Sequence, residues 1–107
     1  HKVFTLQSCD RKMTITEFKD SLKQSSPPSQ LSNLLHALGY DAKGDWEAAH
    51  NVAQDIHSRE GSWIHAYLHR KEGDLGNASY WYHRANQPLS KKSLPDEWEE
   101  ITNALLV

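Results

Sequence analysis

Three of the seven histidines in this 107-residue chain have the spacing of a metal-binding or acid-base site. His65 and His69 lie four residues apart and Glu72 follows three residues later, so on a helix these side chains share one face. His50 comes opposite His69 if the preceding predicted helix folds back around Arg59. Neutral imidazoles and a carboxylate are competent ligands for zinc or iron. The four side chains therefore form a candidate metal site. If the histidines instead line a pocket for a small molecule and that pocket is catalytic, His50 or His69 would be the general base.

A second set of polar and aromatic side chains surrounds the turn at Gly73 and Asp74. Buried guanidinium, imidazole and amide groups each need a hydrogen-bonding partner, so an apolar core cannot absorb all of them. The arginines can hold a carboxylate or phosphate through two parallel hydrogen bonds, and aromatic rings can stack on a ligand. We therefore expect a pocket between facing helices. The expected ligand-binding residues are His50, His65, His69, Arg70, Asn77, Trp81, Tyr82 and Arg84.

Structural roles offer a simpler explanation of the same residues. The histidine pair lacks the intervening glutamate of the HExxH metalloprotease motif, and the imidazoles can be solvated or hydrogen-bonded to one another. Arg70 and Arg84 can pair with nearby acids, while Trp81 and Tyr82 can pack in the core. No serine, threonine or cysteine stands out as a nucleophile. We therefore predict no catalytic residue, and enzymatic activity is not expected.

The elements that must position these residues carry helical signals from Thr14 onward. Thr14 and Glu17 have the spacing of a capping box and predict the start of a first helix. This helix should run to about Gln24 and bury Phe18 and Leu22. The proline pair that follows cannot continue a helix, because proline lacks the amide hydrogen that a helix interior requires.

The second predicted helix follows the prolines, with Ser26 or Ser29 as its N-cap. Its leucines fall at i, i+3, i+4 and i+7 and form one apolar stripe, which indicates a buried face. Gly39 or Gly44 should end this helix. The stripe consists of Leu31, Leu34, Leu35 and Leu38.

Two further helices carry the histidines. Asp45 is the expected N-cap of the third helix, which presents one apolar face of Trp46, Ala49, Ala53 and Ile56. The fourth helix should start at Ser58 or Ser62 and run to about Glu72. It then bears both His65 and His69, so their positions are set by how this helix packs.

The fifth helix should extend from Leu75 to about Asn86, antiparallel to the fourth because the Gly-Asp connection is so short. Ser93 is the expected cap of the last helix, with Asp96 and Glu97 near its positive end. One apolar face should dock this helix on the rest of the chain. That face consists of Leu94, Trp98, Ile101 and Leu105.

An internal similarity links the two Gly-Asp turns. The segment GDWEAAHNVAQDI from Gly44 aligns with GDLGNASYWYHRA from Gly73, 29 residues further along. In the second copy, Ala78, Tyr82 and Ala85 resemble the second helix of a tetratricopeptide repeat, although the usual period of that repeat is about 34 residues. We therefore predict an all-α domain of five to six helices, arranged as stacked antiparallel hairpins of tetratricopeptide-like type.

The string HAYLHRKEGD followed by NASYWYHRA also resembles a family of small, largely uncharacterised bacterial helical proteins that carry HAxLHRxEGDxxNAxYWYxRA. The resemblance covers residues 50–85 or so and supplies no reaction. It implies that the chain is bacterial. It also implies a set of family features, namely His65, His69, Arg70, Glu72, Asp74, Asn77, Tyr80, Trp81, Tyr82 and Arg84.

Length and charge limit the other classes of function. We expect an N-terminal arm at residues 1–13, with His1 compatible with a tag remnant, and a single helical domain at residues 14–107. A formal net charge of -2 gives no electrostatic footprint for nucleic acid. No apolar run is long enough for a membrane span, and the single Cys9 allows no internal disulfide. A cytoplasmic location is therefore expected.

Three functions remain for the predicted domain. The first is a pocket for a small anionic or sugar-like molecule, formed by the expected ligand-binding residues. The second is a protein or peptide adaptor on the concave face of the hairpins. The third is the histidine metal site, and no cofactor other than such a divalent metal is expected. The exposed aromatic residues also allow a homodimer through the last helix.

Overall fold

The computed structural model describes residues 14–23 and 32–106, and in these ranges every regular element is an α-helix. The all-α prediction is therefore confirmed. No helix in the described ranges is long and apolar enough to cross a membrane. The predicted arm at residues 1–13 lies outside the described residues, as do Gln24, Ser26, Ser29 and Leu31. The helices are α1 (Ile15–Ser21), α2 (Asn33–Ala42), α3 (Trp46–Gln54), α4 (Arg59–Glu72), α5 (Leu75–Arg84) and α6 (Leu94–Leu106).

The first helix begins with the predicted capping box. The Thr14 hydroxyl accepts from the Glu17 backbone amide at 3.1 Å, and the Glu17 carboxylate accepts from the Thr14 amide at 2.9 Å. Phe18 is fully buried as predicted, but Leu22 is only half-buried. The helix ends at Ser21, earlier than predicted, and Leu22 is its C-cap.

The predicted start of the second helix is wrong. Ser32 is the N-cap of α2, because its extended backbone lets its hydroxyl accept from the Leu35 amide at 3.3 Å. Gly39 lies inside the helix, where a Cβ atom would come within 2.9 Å of Leu22. Gly44 follows the end of the helix with φ of +88°, a left-handed conformation that glycine adopts without strain.

Two hairpins of the same design make up the central part of the fold. The α2–α3 and α4–α5 connections each contain a glycine with positive φ, +88° at Gly44 and +94° at Gly73. The following aspartates, Asp45 and Asp74, cap the next helix with similar backbone angles. Both caps confirm the sequence prediction, whereas the tetratricopeptide likeness of the hairpins stays a prediction.

Helix α4 forms the centre of the core, since it packs against α2, α3, α5 and α6. It begins after Ser58, one of the two predicted caps, and is buried continuously from residue 61 to residue 69. Helix α6 docks on it through the predicted face, with Trp98 and Ile101 buried. Because α4 has neighbours on all sides, polar side chains on different faces of this helix enter different environments.

Candidate metal centre

The histidines come from the two helices that the sequence assigned to them. His50 lies on α3, and His65 and His69 lie one turn apart on α4. The indole nitrogen of Trp46 donates to the Leu68 carbonyl at 2.8 Å and fixes the start of α3 on α4. His50 follows Trp46 by four residues, so it lies on the same face of α3 and points toward α4.

The three imidazole rings converge on one point. The ring centroid of His50 lies 4.6 Å from that of His65 and 5.1 Å from that of His69. The centroids of His65 and His69 are 4.8 Å apart. The Nε2 atoms of His50 and His65 are 2.9 Å apart. One nitrogen of each ring lies within 4.8 Å of the others, which is close enough for a common ion.

Glu72 lies outside the histidine trio and instead groups with His69 and Asp74. Its Oε2 atom lies 2.6 Å from Nδ1 of His69, so this carboxylate accepts from that imidazole and does not engage Nε2. The metal set predicted from the sequence contained Glu72 beside the three histidines. Metal-bound histidines commonly donate their second nitrogen to a carboxylate, which orients the ring and raises its basicity. The contact between Glu72 and His69 has the geometry of such a pair.

Aromatic rings enclose the imidazoles on two sides. Trp46 stacks on His50 with centroids 4.9 Å apart and an interplanar angle of 12°. Trp81 stacks on His65 at 4.0 Å and 22°, which places α5 beside the cluster at the register predicted from the short turn. The indoles displace water from the ring faces, so His65 and His69 are both buried while His50 is half-buried.

Burial keeps His65 and His50 neutral. The pKa of His65 is lowered to about 4, mainly by desolvation and also by the neighbouring His50 and His69. Desolvation also lowers the pKa of His50, an effect that His69 strengthens and that Glu72 opposes. At neutral pH both rings therefore carry a lone pair, which is the state that can bind a metal.

Two of the expected ligand-binding residues lie in a separate buried cluster around Glu97. Nε of Arg70 donates to Oε1 of Glu97 at 3.0 Å. Nη2 of Arg70 lies 2.8 Å from the same oxygen and forms an ion pair with it, without the geometry of a hydrogen bond. The hydroxyl of Tyr82 donates to the other carboxylate oxygen of Glu97. The structure therefore brings Arg70 and Tyr82 to the α4–α5–α6 junction, where they satisfy a buried acid.

The remaining expected residues lie on the outer side of α5. Asn77 is exposed and donates to Asp74 at 3.4 Å, beside the N-cap of its own helix. Arg84 is exposed and donates to the Tyr80 hydroxyl at 3.2 Å. Its guanidinium carbon also lies 5.4 Å from the ring centroid of Trp81, the indole that stacks on His65. Of these residues, Arg84 and Trp81 adjoin the histidine cluster.

The sequence prediction missed several polar residues of the interior. Asp41 is buried and accepts from the Tyr67 hydroxyl at 2.9 Å and from the Lys71 ammonium at 2.8 Å. Glu97 is fully buried, although its place in the first turn of α6 suggested only a favourable contact with the helix dipole. A usable signal existed for Glu97, because it lies four residues before the buried Ile101 and so shares its face.

Surface grooves lie elsewhere on the molecule. One of about 480 Å³ runs beside Lys71, Leu94 and Trp98, and another of about 400 Å³ runs between Trp63 and the loop that contains Leu89. Neither groove is lined by a histidine of the cluster. The pocket expected from the sequence as one continuous site is thus divided between the histidine cluster, the Glu97 cluster and the surface of α5.

Comparison with known proteins adds no relative from which a function could be transferred. No family model, no curated protein and no solved structure matches this chain. The functional argument therefore depends on the geometry of the side chains.

Proposed function

We propose that this protein binds a divalent transition metal, zinc above all, through His50, His65 and His69. The observation that carries the proposal is the convergence of three imidazole nitrogens within 4.8 Å of one another. The gathered rings bring three lone pairs to one point, because each neutral imidazole carries one unprotonated nitrogen. An ion that accepts a lone pair from all three would bind the whole cluster.

The distance between His50 and His65 fits zinc after a small adjustment. Zn–N bonds of about 2.0–2.1 Å in a tetrahedral site place the ligand nitrogens about 3.3 Å apart. The Nε2 atoms of His50 and His65 lie 2.9 Å apart and must separate by a few tenths of an ångström. Rotation of the half-buried His50 ring can supply this movement, since α3 holds it at the edge of the cluster.

Imidazole ligands suit zinc, copper and nickel, whereas an all-oxygen set would favour magnesium or calcium. The Glu72 carboxylate supports the same interpretation, because it fixes the tautomer of His69 with the second nitrogen turned toward the cluster. The small-molecule pocket expected from the sequence is less well supported, because Arg70 and Tyr82 are engaged by Glu97. The metal proposal does not depend on a cytoplasmic location.

Metal analysis of tag-free protein tests the proposal directly. After dialysis against zinc and then against metal-free buffer, we expect one zinc per chain by mass spectrometry, and titration calorimetry should give the affinity. The variant His50→Ala should lose this binding while it keeps its helical circular dichroism, because His50 is half-buried. Folded wild-type protein with only trace zinc would refute the proposal.

Histidines outside the cluster provide matched controls. His57 and His83 are exposed and are not part of the convergent trio. We expect His57→Gln and His83→Gln to bind zinc as the wild type does. If these substitutions weakened binding as strongly as His50→Ala, the metal would be held by scattered surface imidazoles and the proposed centre would be wrong.

The role of Glu72 can be measured separately. Glu72→Gln removes the charge that orients His69, and loss of such a supporting carboxylate typically weakens metal binding about 10- to 100-fold. Glu60→Gln is the control, because Glu60 is an exposed acid in the first turn of the same helix. Equal zinc affinities for both variants would contradict the supporting role.

A further inference from the structure

We propose, on the basis of the metal site proposed above, that the bound ion takes its fourth ligand from solution and that this ligand is a small carboxylate. The first step concerns the number of protein ligands. Among the described residues, no further histidine, cysteine, aspartate or glutamate joins the trio within 4.8 Å of all its members. Zinc sites with four protein ligands are closed and structural, whereas three protein ligands leave a position for water or substrate.

The second step concerns charge. Three neutral imidazoles leave the full double positive charge on the ion, and the Glu72 carboxylate that contacts His69 offsets only one unit of it. A zinc ion in such a site lowers the pKa of bound water to about 7, which shows how strongly it favours an anion over a neutral ligand. A monoanion in the fourth position brings the local charge to zero.

The third step concerns the surroundings of the open position. Trp81 stacks on His65 at 4.0 Å, and the Arg84 guanidinium lies 5.4 Å from the Trp81 ring. Arg84 is therefore closer than about 10 Å to His65, a separation comparable with the Debye length at 0.1 M salt. An exposed cation at this distance attracts an anion to the centre.

These steps identify a chemical class. The ligand needs a single negative charge on oxygen for the ion. A small carboxylate such as acetate or benzoate meets this demand. Two acidic side chains, Glu72 and the exposed Asp74, lie near His69. They disfavour ligands with several negative charges.

Cobalt substitution provides the test. Co²⁺ replaces zinc in histidine sites and its visible absorption changes when a ligand enters the coordination sphere. We would titrate the Co²⁺-loaded full chain with benzoate and with acetate, holding ionic strength constant with perchlorate. We expect saturable spectral changes with both. A chain that binds Co²⁺ but shows no spectral response to either acid would overturn this inference and leave the proposed function intact.

Charge variants test the position of the anion. Coulomb's law for unit charges about 10 Å apart in water gives roughly a twofold change in affinity, so Arg84→Gln should raise the Kd for benzoate about twofold at low salt and less at high salt. Lys23→Gln carries the same charge change just beyond the end of α1, a helix that packs on α6 among the described residues. Equal effects of both variants would overturn the placement of the anion beside Trp81. Failure of the wild type to bind Co²⁺ would overturn the proposed function and this inference with it.

Discussion

The histidine cluster and the Glu97 cluster lie on different faces of α4 and resolve the problem of buried polar groups in opposite ways. Around Glu97 the groups are complementary, because one carboxylate receives donors from a guanidinium and a phenol. Around His65 the groups are alike, because three imidazoles face one another. In the first arrangement the acid has its donors within the chain, although Nη2 of Arg70 makes no hydrogen bond, whereas the second arrangement gains from an ion that accepts all three lone pairs.

This difference separates structural residues from functional ones more reliably than residue type does. Arginine and tyrosine are common in ligand sites, yet Arg70 and Tyr82 here neutralise and solvate a buried acid. A buried acid that already has its partners has no remaining demand for a ligand. The comparison therefore predicts that damage to the Glu97 cluster affects folding, and that damage to the histidine cluster affects metal binding.

The largest expected effect is the loss of the Glu97 charge. Glu97→Gln leaves Arg70, whose side chain is 15% exposed, as a buried cation without its acid. Breaking a buried pair on one side typically costs about 3–5 kcal/mol. Urea unfolding followed by circular dichroism should show this loss in the free energy of unfolding, while the folded variant keeps its zinc affinity.

Glu99 provides the control for that substitution. It lies two residues further along α6, is exposed, and pairs with Lys19 at the surface. Surface ion pairs contribute about 0–1 kcal/mol, so Glu99→Gln should change stability little. Similar losses for both variants would mean that α6 tolerates neither change and that the buried pair has no special weight.

An intermediate effect is expected from acid on the metal-free protein. The folded-state pKa of His65 is about 4, below the unfolded value of 6.5, because burial and, to a smaller extent, the neighbouring His50 and His69 lower it. Between these values the unfolded chain binds more protons, so stability falls as pH drops from about 7 to about 4, by up to about 3 kcal/mol. Urea unfolding in a chelator measures this slope. His65→Gln should make the slope of unfolding free energy against pH shallower, whereas His57→Gln should leave it unchanged. Equal slopes in the wild type and both variants would contradict the burial of a neutral His65 ring.

Much of the fold could be predicted because short-range rules determine it. The Thr14 capping box, the Asp45 and Asp74 caps and the start after Ser58 depend on side chains three residues from the amides they bind. The start of α2 could not be chosen in this way, because several serines near the prolines satisfy the same rule. Ser32 is the serine whose hydroxyl accepts from the amide three residues later, that of Leu35.

The contacts of the histidines could be predicted from the sequence, whereas the surroundings of the other faces of α4 could not. Short turns fix the register of antiparallel helices, and this register brings His50 to His69 and His65 to Trp81. The helical spacing does not say which neighbour covers each face. Arg70 follows His69 directly but points about 100° away around the helix, toward α6, and the sequence gives no local sign of where α6 docks.

The smallest of the expected effects concerns the ionisation of the Tyr82 phenol in the Glu97 cluster. Burial raises the pKa of Tyr82 above its usual value of 10, and the hydrogen bond to Glu97 raises it further. Above pH 10 the unfolded chain releases this proton and the folded chain retains it. Stability should therefore fall as pH rises, by about 1 kcal/mol per pH unit from this residue.

Tyr82→Phe isolates this contribution, because the lysines that titrate in the same range are present in both proteins. The slope of unfolding free energy against pH between 9 and 11 should be shallower in Tyr82→Phe than in the wild type, while Tyr80→Phe, at an exposed tyrosine of the same helix, should leave it unchanged. Parallel slopes for the wild type and Tyr82→Phe would show that the phenol ionises as readily in the folded chain as in the unfolded one. In that case the Glu97 cluster would be open to solvent, and its contrast with the histidine cluster would no longer identify the functional site.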